Sequence, residues 1–95
     1  MKEQTLEESR VIIDKLDKEI CALLVQRMDT VQQVAAYKLA HDLPVFQPER
    51  ELKVLDKVSA LAGEQYGPAV AAVYRCLMDE SKKLQEAWLA QQRQD

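Results

Sequence analysis

From Leu6 to Leu39 the chain contains neither glycine nor proline. Thr5 and Glu8 stand at the front of this run with capping-box spacing, and the pattern predicts one helix from about Thr5 to about Ala40. About 35 residues at 1.5 Å per residue make a rod of roughly 50 Å. A compact domain of 95 residues has a radius of gyration of only about 12–13 Å. Two shorter helices of the same chain are too little to cover such a rod. A second copy is expected to cover the rest, giving a homodimer with its long helices packed together. The competing arrangement is a helix broken near Met28–Thr30 and folded into a small bundle.

The segment HDLPVFQPER ends the run, with Pro44 and Pro48 as breaks. A second helix is predicted from about Pro48 to about Ala62. Pro48 suits a first turn, Glu49 and Glu51 meet the positive end of the helix dipole, and Gly63 suits the C-cap. A third helix is predicted from near Pro68 to about Gln91, followed by a tail, QQRQD, expected to fray. No β pattern, internal repeat or low-complexity segment is evident. The expected fold is all-α, with three helices per chain, a long first helix and a single domain over residues 1–95.

Bulk properties narrow the function. The chain is 47% hydrophobic and 31% charged, as folded globular proteins are. Its net charge of −3 argues against general nucleic-acid binding. Cys21 and Cys76 are isolated and read as small buried hydrophobes. No apolar run approaches the roughly 20 residues of a membrane span, and MKEQTLEES has no apolar core of a signal peptide. A cytoplasmic location is expected.

Polar residues interrupt every apolar stripe. Stepping by threes and fours gives Arg10, Ile13, Leu16 or Asp17, Ile20, Leu24, Arg27, Val31, Val34 and Lys38 on one face of the first helix. The apolar members of this face should be buried, and unpaired buried cations are costly. In the second helix the stripe runs Glu51, Val54 or Leu55, Val58, and Leu61 or Ala62. In the third it runs Val70, Val73 or Tyr74, Leu77, Ser81, Leu84 or Gln85, and Trp88. Each polar group has an ordinary explanation. On that explanation Arg27 would pair with Glu51, Lys38 would reach water from a helix end, Ser81 would bond back within its helix, Glu51 would meet the helix dipole, and Gln85 and Arg10 would lie on the surface. Five or six inward polar groups on three helices are better accounted for together, by a shared ligand.

The set is cation-rich. It has no nucleophile–base pair supported by a third residue. His41 has no companion at metal-ligand spacing, so no metal is expected, and two glycines make no phosphate loop. A small dianion fits. Two arginines take carboxylates in bidentate fashion, Lys38 and Gln85 donate to a developing oxyanion, and Glu51 accepts from a hydroxyl. Such a site works by electrostatics and confinement.

The ordered pattern R-x₂-ID-x-LD-x₂-I-x₂-LL-x₂-R, VAAYK, F-x-P-x-RE and S-x₃-Q, spread from Ser9 to Trp88, resembles the all-helical class of chorismate mutases. The resemblance implies an intertwined dimer that rearranges chorismate to prephenate without a cofactor, in aromatic amino-acid biosynthesis. It implies that Arg27 holds a substrate carboxylate, helped by Ser81. Arg10 reaches the other carboxylate from the partner chain. Lys38 and Gln85 bind the ether oxygen, with Lys38 also near the enolpyruvyl carboxylate. Glu51 binds the ring hydroxyl, with Arg50 as electrostatic support. Gln47 departs from the aspartate that some members carry near the hydroxyl end. Two other functions compete: an isochorismate pyruvate lyase of the same fold, and a non-catalytic helical domain that dimerises or regulates a partner such as a shikimate-pathway enzyme. The polar Glu51 and Ser81 favour the mutase over the lyase, and the intact polar set argues against silence.

Overall fold

The computed structural model describes residues 3–93. It contains three helices, α1 (Leu6–Ala40), α2 (Pro48–Ala62) and α3 (Gly67–Arg93), and no strand among the described residues. The predicted helices are all present. The last one continues to Arg93, two residues past its expected end, while Gln94 and Asp95 of the tail lie outside the described residues.

The boundaries follow local chemistry. At the start of α1 the Glu8 backbone N–H donates to Thr5 Oγ1 at 3.1 Å, satisfying one of the four free donors of a helix N-terminus. Pro48 occupies the first turn of α2, where its missing N–H costs nothing. Gly63 ends α2 with φ 86°, and its N–H donates to Ser59 O and Ala60 O at 3.2 and 3.3 Å. That backbone angle favours glycine. Gly67 then brings α3 against α2. A Cβ on it would sit 3.0 Å from the Ser59 carbonyl oxygen.

The end of α1 has a Schellman geometry. Asp42 takes the left-handed conformation with φ 56°, Asp42 N–H donates to Leu39 O at 3.3 Å, and Leu43 N–H donates to Lys38 O at 2.8 Å. The cap reverses the chain beside Lys38 and starts the connection to α2.

The chain divides after Thr30 into two compact units. The first holds the opening turns of α1, and most of its stripe is open: Ile13 and Ile20 are each 52% exposed, while Leu24 is half-buried. The expectation that this stripe is buried is corrected for the single chain. A lone helix has nothing within its unit to cover its apolar face. Cys21, expected to be buried, is exposed for the same reason.

The second unit holds the end of α1 with α2 and α3. Its core is Ala35, Val58, Ala71, Leu77, Met78 and Leu89. The stripe alternatives resolve here. Ala62 and Tyr74 are half-buried while Leu61 and Val73 are exposed. Cys76 is also exposed, correcting its expected burial, because the inward side of α3 here lies between Leu77 and Met78, and Cys76 is about 200° around the helix from Met78.

Candidate active site

The second unit gathers Lys38, Glu51, Ser81 and Gln85. Lys38 occupies the last turn of α1, Glu51 the first turn of α2, and Ser81 and Gln85 successive turns of α3. Ser81 and Gln85 are each only 5% exposed, and both were placed on the inward face by sequence spacing alone.

Lys38 is the centre of the set. Its ammonium donates to the Val45 carbonyl at 2.8 Å and to Gln85 Oε1 at 3.0 Å. Two acceptors engage two of the three N–H groups and leave one for a ligand. The Lys38 backbone carbonyl meanwhile accepts from Leu43. One residue thus fixes both the start and the middle of the loop between α1 and α2.

Gln85 is oriented by this contact. Its oxygen faces Lys38, so its amide nitrogen is the group that points elsewhere. Nε2 reaches Ser81 O at a long 3.4 Å, leaving a second N–H for a ligand. Ser81 Oγ donates to Leu77 O at 2.8 Å, the back-bonded arrangement that its helical position allows. The proton of the hydroxyl is committed to that carbonyl, so donating to a carboxylate requires it to turn.

Glu51 is half-buried. Its carboxylate meets Lys82 Nζ at 3.0 Å through Oε2. Gln47 is half-buried at the N-cap of α2, where its Nε2 donates to Pro44 O at 3.3 Å and its carbonyl accepts from Glu51 N–H at 3.1 Å. Arg50 is exposed. Arg10 and Arg27 belong to the unit before Thr30; Arg10 is exposed and Arg27 half-buried. Among the described residues no three His, Cys, Asp or Glu side chains are grouped to hold a metal ion. No described helix is long and apolar enough to cross a membrane.

Sequence reasoning missed Lys82 and Phe46. Lys82 stands in an ordinary-looking SKK run, and only the packing of α3 on α2 brings it to Glu51. Phe46 belongs to the F-x-P-x-RE pattern, but its ring lies under the Lys82 ammonium, 4.6 Å from the centroid, a contact that no spacing rule foretells.

The fold and this site define a class: a protein that is helical without strands among the described residues, with polar side chains of α3 and α2 gathered around one lysine. The model of chorismate mutase type II matches residues 9–86, and the chain belongs to that family. It is similar to the bifunctional chorismate mutase/prephenate dehydratase of Aquifex aeolicus, 34% identical over 90% of this chain and 26% of that protein. It is 36% identical to the T-protein of Haemophilus influenzae over 82% of this chain and 21% of that one. It is also 28% identical to the chorismate mutase of Methanocaldococcus jannaschii, over 90% of this chain and 89% of that protein. The chain thus spans about a quarter of the length of the first two relatives. No solved structure gives a significant match.

Burial lowers the Lys38 pKa from the usual 10.5, and the nearby Glu51 charge partly offsets this. Direct nuclear magnetic resonance titration of the Lys38 ammonium is expected to give a midpoint below 10.5. The sign for stability follows: between the folded and unfolded midpoints the unfolded chain binds more protons, so stability rises with pH through that window. A midpoint at or above 10.5 contradicts this account of the site.

Proposed function

We propose that this chain is a chorismate mutase, converting chorismate to prephenate by a Claisen rearrangement. The observation that carries the proposal is the Lys38–Gln85 pair, two positioned donors at the centre of a site without nucleophile or metal cluster among the described residues. In the reaction the ether C–O bond breaks as a C–C bond forms within one molecule. No proton is transferred and no cofactor is needed. What the protein supplies is confinement of a reactive conformer and stabilisation of charge on the ether oxygen.

The roles follow from atoms. The remaining N–H of Lys38 and the remaining N–H of Gln85 Nε2 donate to the ether oxygen. Glu51 accepts from the ring hydroxyl, with Gln47 near that end and Arg50 adding positive potential. Arg27 binds one carboxylate, with Ser81 after its hydroxyl turns. Arg10 binds the other, supplied by a partner chain. The open apolar face of α1 around Ile13 and Ile20 supports such a homodimer, because exposed apolar surface of this extent favours a covering partner. The reading places the protein in phenylalanine and tyrosine biosynthesis in the cytoplasm, acting on a small molecule rather than nucleic acid or membrane, with a shikimate-pathway enzyme as a fitting further partner.

Incubating the purified chain with chorismate and identifying the product tests this directly. Prephenate formation without added metal or cofactor is expected. Release of pyruvate from isochorismate in place of this reaction identifies the lyase, and inertness toward both substrates contradicts the proposal. Chain sharing has its own test. Mixed Arg10→Ala and Lys38→Ala chains, each inactive alone, should regain activity on exchange, because one hybrid site is then intact. No recovery after verified exchange places Arg10 outside a shared site.

A further inference from the structure

Lys82 holds an unusual position for a surface lysine. Its ammonium lies 3.0 Å from Glu51 Oε2 and 3.4 Å from Oε1, so it spans the carboxylate. Asp79 Oδ1, one turn earlier on α3, is 3.3 Å away. The Phe46 ring covers the ammonium at 4.6 Å, within cation–π range. The Lys82 and Glu51 side chains are only 27% and 24% exposed. One cation therefore joins α3 to the first turn of α2 and to the loop that Lys38 holds through Val45.

We infer that Lys82 is a positioning residue: it aims the Glu51 carboxylate and latches the Phe46 loop over the hydroxyl end of the site. This deepens the chorismate mutase proposal and rests on it. The electrostatics point the same way. A dianionic substrate approaching Glu51 meets a like charge, and Lys82, in contact with the carboxylate, neutralises it. The Glu51 hydrogen bond is also the foremost reason that the Lys82 pKa is raised from its usual value. Asp79 is 66% exposed and serves as a second, dispensable partner, since exposed ion pairs contribute little.

The ring hydroxyl does not change bonding in the rearrangement. A contact to it binds ground state and transition state alike, and its loss raises KM with little effect on kcat. The full chain is compared as wild type, Lys82→Met, Lys82→Arg and Asp79→Asn, with folding checked by circular dichroism. Lys82→Met keeps the stem and removes the charge. It should raise KM for chorismate about five- to tenfold with kcat within about twofold, and added salt should narrow the difference by weakening the wild-type pair. Lys82→Arg should restore KM, and Asp79→Asn should match wild type.

Amide hydrogen exchange gives a readout independent of activity. Leu43 N–H bonds to Lys38 O and Glu51 N–H to Gln47 O, and both should exchange faster in Lys82→Met alone. Unchanged KM in a folded Lys82→Met chain overturns the inference, whatever the exchange. A fall in kcat that Lys82→Arg does not restore also overturns it, because Lys82 then acts on the reacting atoms. Should wild type leave chorismate unchanged, the proposed function fails, and the exchange rates alone decide whether Lys82 latches the loop.

Discussion

The ammonium of Lys38 has to be held partly buried at the end of a helix, with backbone and amide oxygens rather than a carboxylate as its direct acceptors. Burial disfavours the charge and the more distant Glu51 supports it. The Val45 carbonyl and Gln85 Oε1 then set its direction. Val45 comes from the loop that the Lys38 backbone helps to place, since its carbonyl closes the cap that begins it, and Gln85 comes from α3. Cap, loop and α3 therefore meet at one residue. A cation already desolvated and oriented has little reorganisation left when negative charge develops beside it, which is the condition for strong electrostatic catalysis.

The polarity of the surroundings is graded around this centre. Gln85 presents its oxygen to Lys38 and keeps its nitrogen for a ligand. Being an uncharged amide, it keeps that role across ordinary pH. Ser81 is buried but committed to Leu77 O, so it is a latent donor. Glu51 is balanced between Lys38 and Lys82. Together these groups suit a ligand with oxygens of several kinds, and the fold supplies them from three helices.

Much of this was legible in the sequence for physical reasons. A run free of glycine and proline, a proline at a first turn and a glycine past a last turn fix helix boundaries through local backbone preferences. They placed Leu6–Ala40 and Pro48–Ala62 nearly to the residue. Helical spacing also placed Ser81 and Gln85 inward, because burial follows the 3.6-residue period. Two kinds of feature were not legible. The burial assigned to Ile13, Ile20 and Cys21 presumed a covering surface, which one helix cannot supply to itself. The roles of Lys82 and Val45 depend on which helices touch and on a backbone carbonyl, and neither leaves a mark in residue type. Asp42 is a related case: no composition rule required the left-handed residue after α1 to be aspartate in place of glycine.

The central claim is that the Lys38 charge acts on the transition state more than on the bound substrate. Steady-state kinetics of Lys38→Met with chorismate, on folded protein at neutral pH, measures this most directly. Losing a preorganised donor to transition-state charge is expected to lower kcat by roughly 10²–10³ with a much smaller change in KM. A variant whose KM rises while kcat stays at the wild-type value would show that Lys38 binds substrate and transition state equally, and would contradict the account.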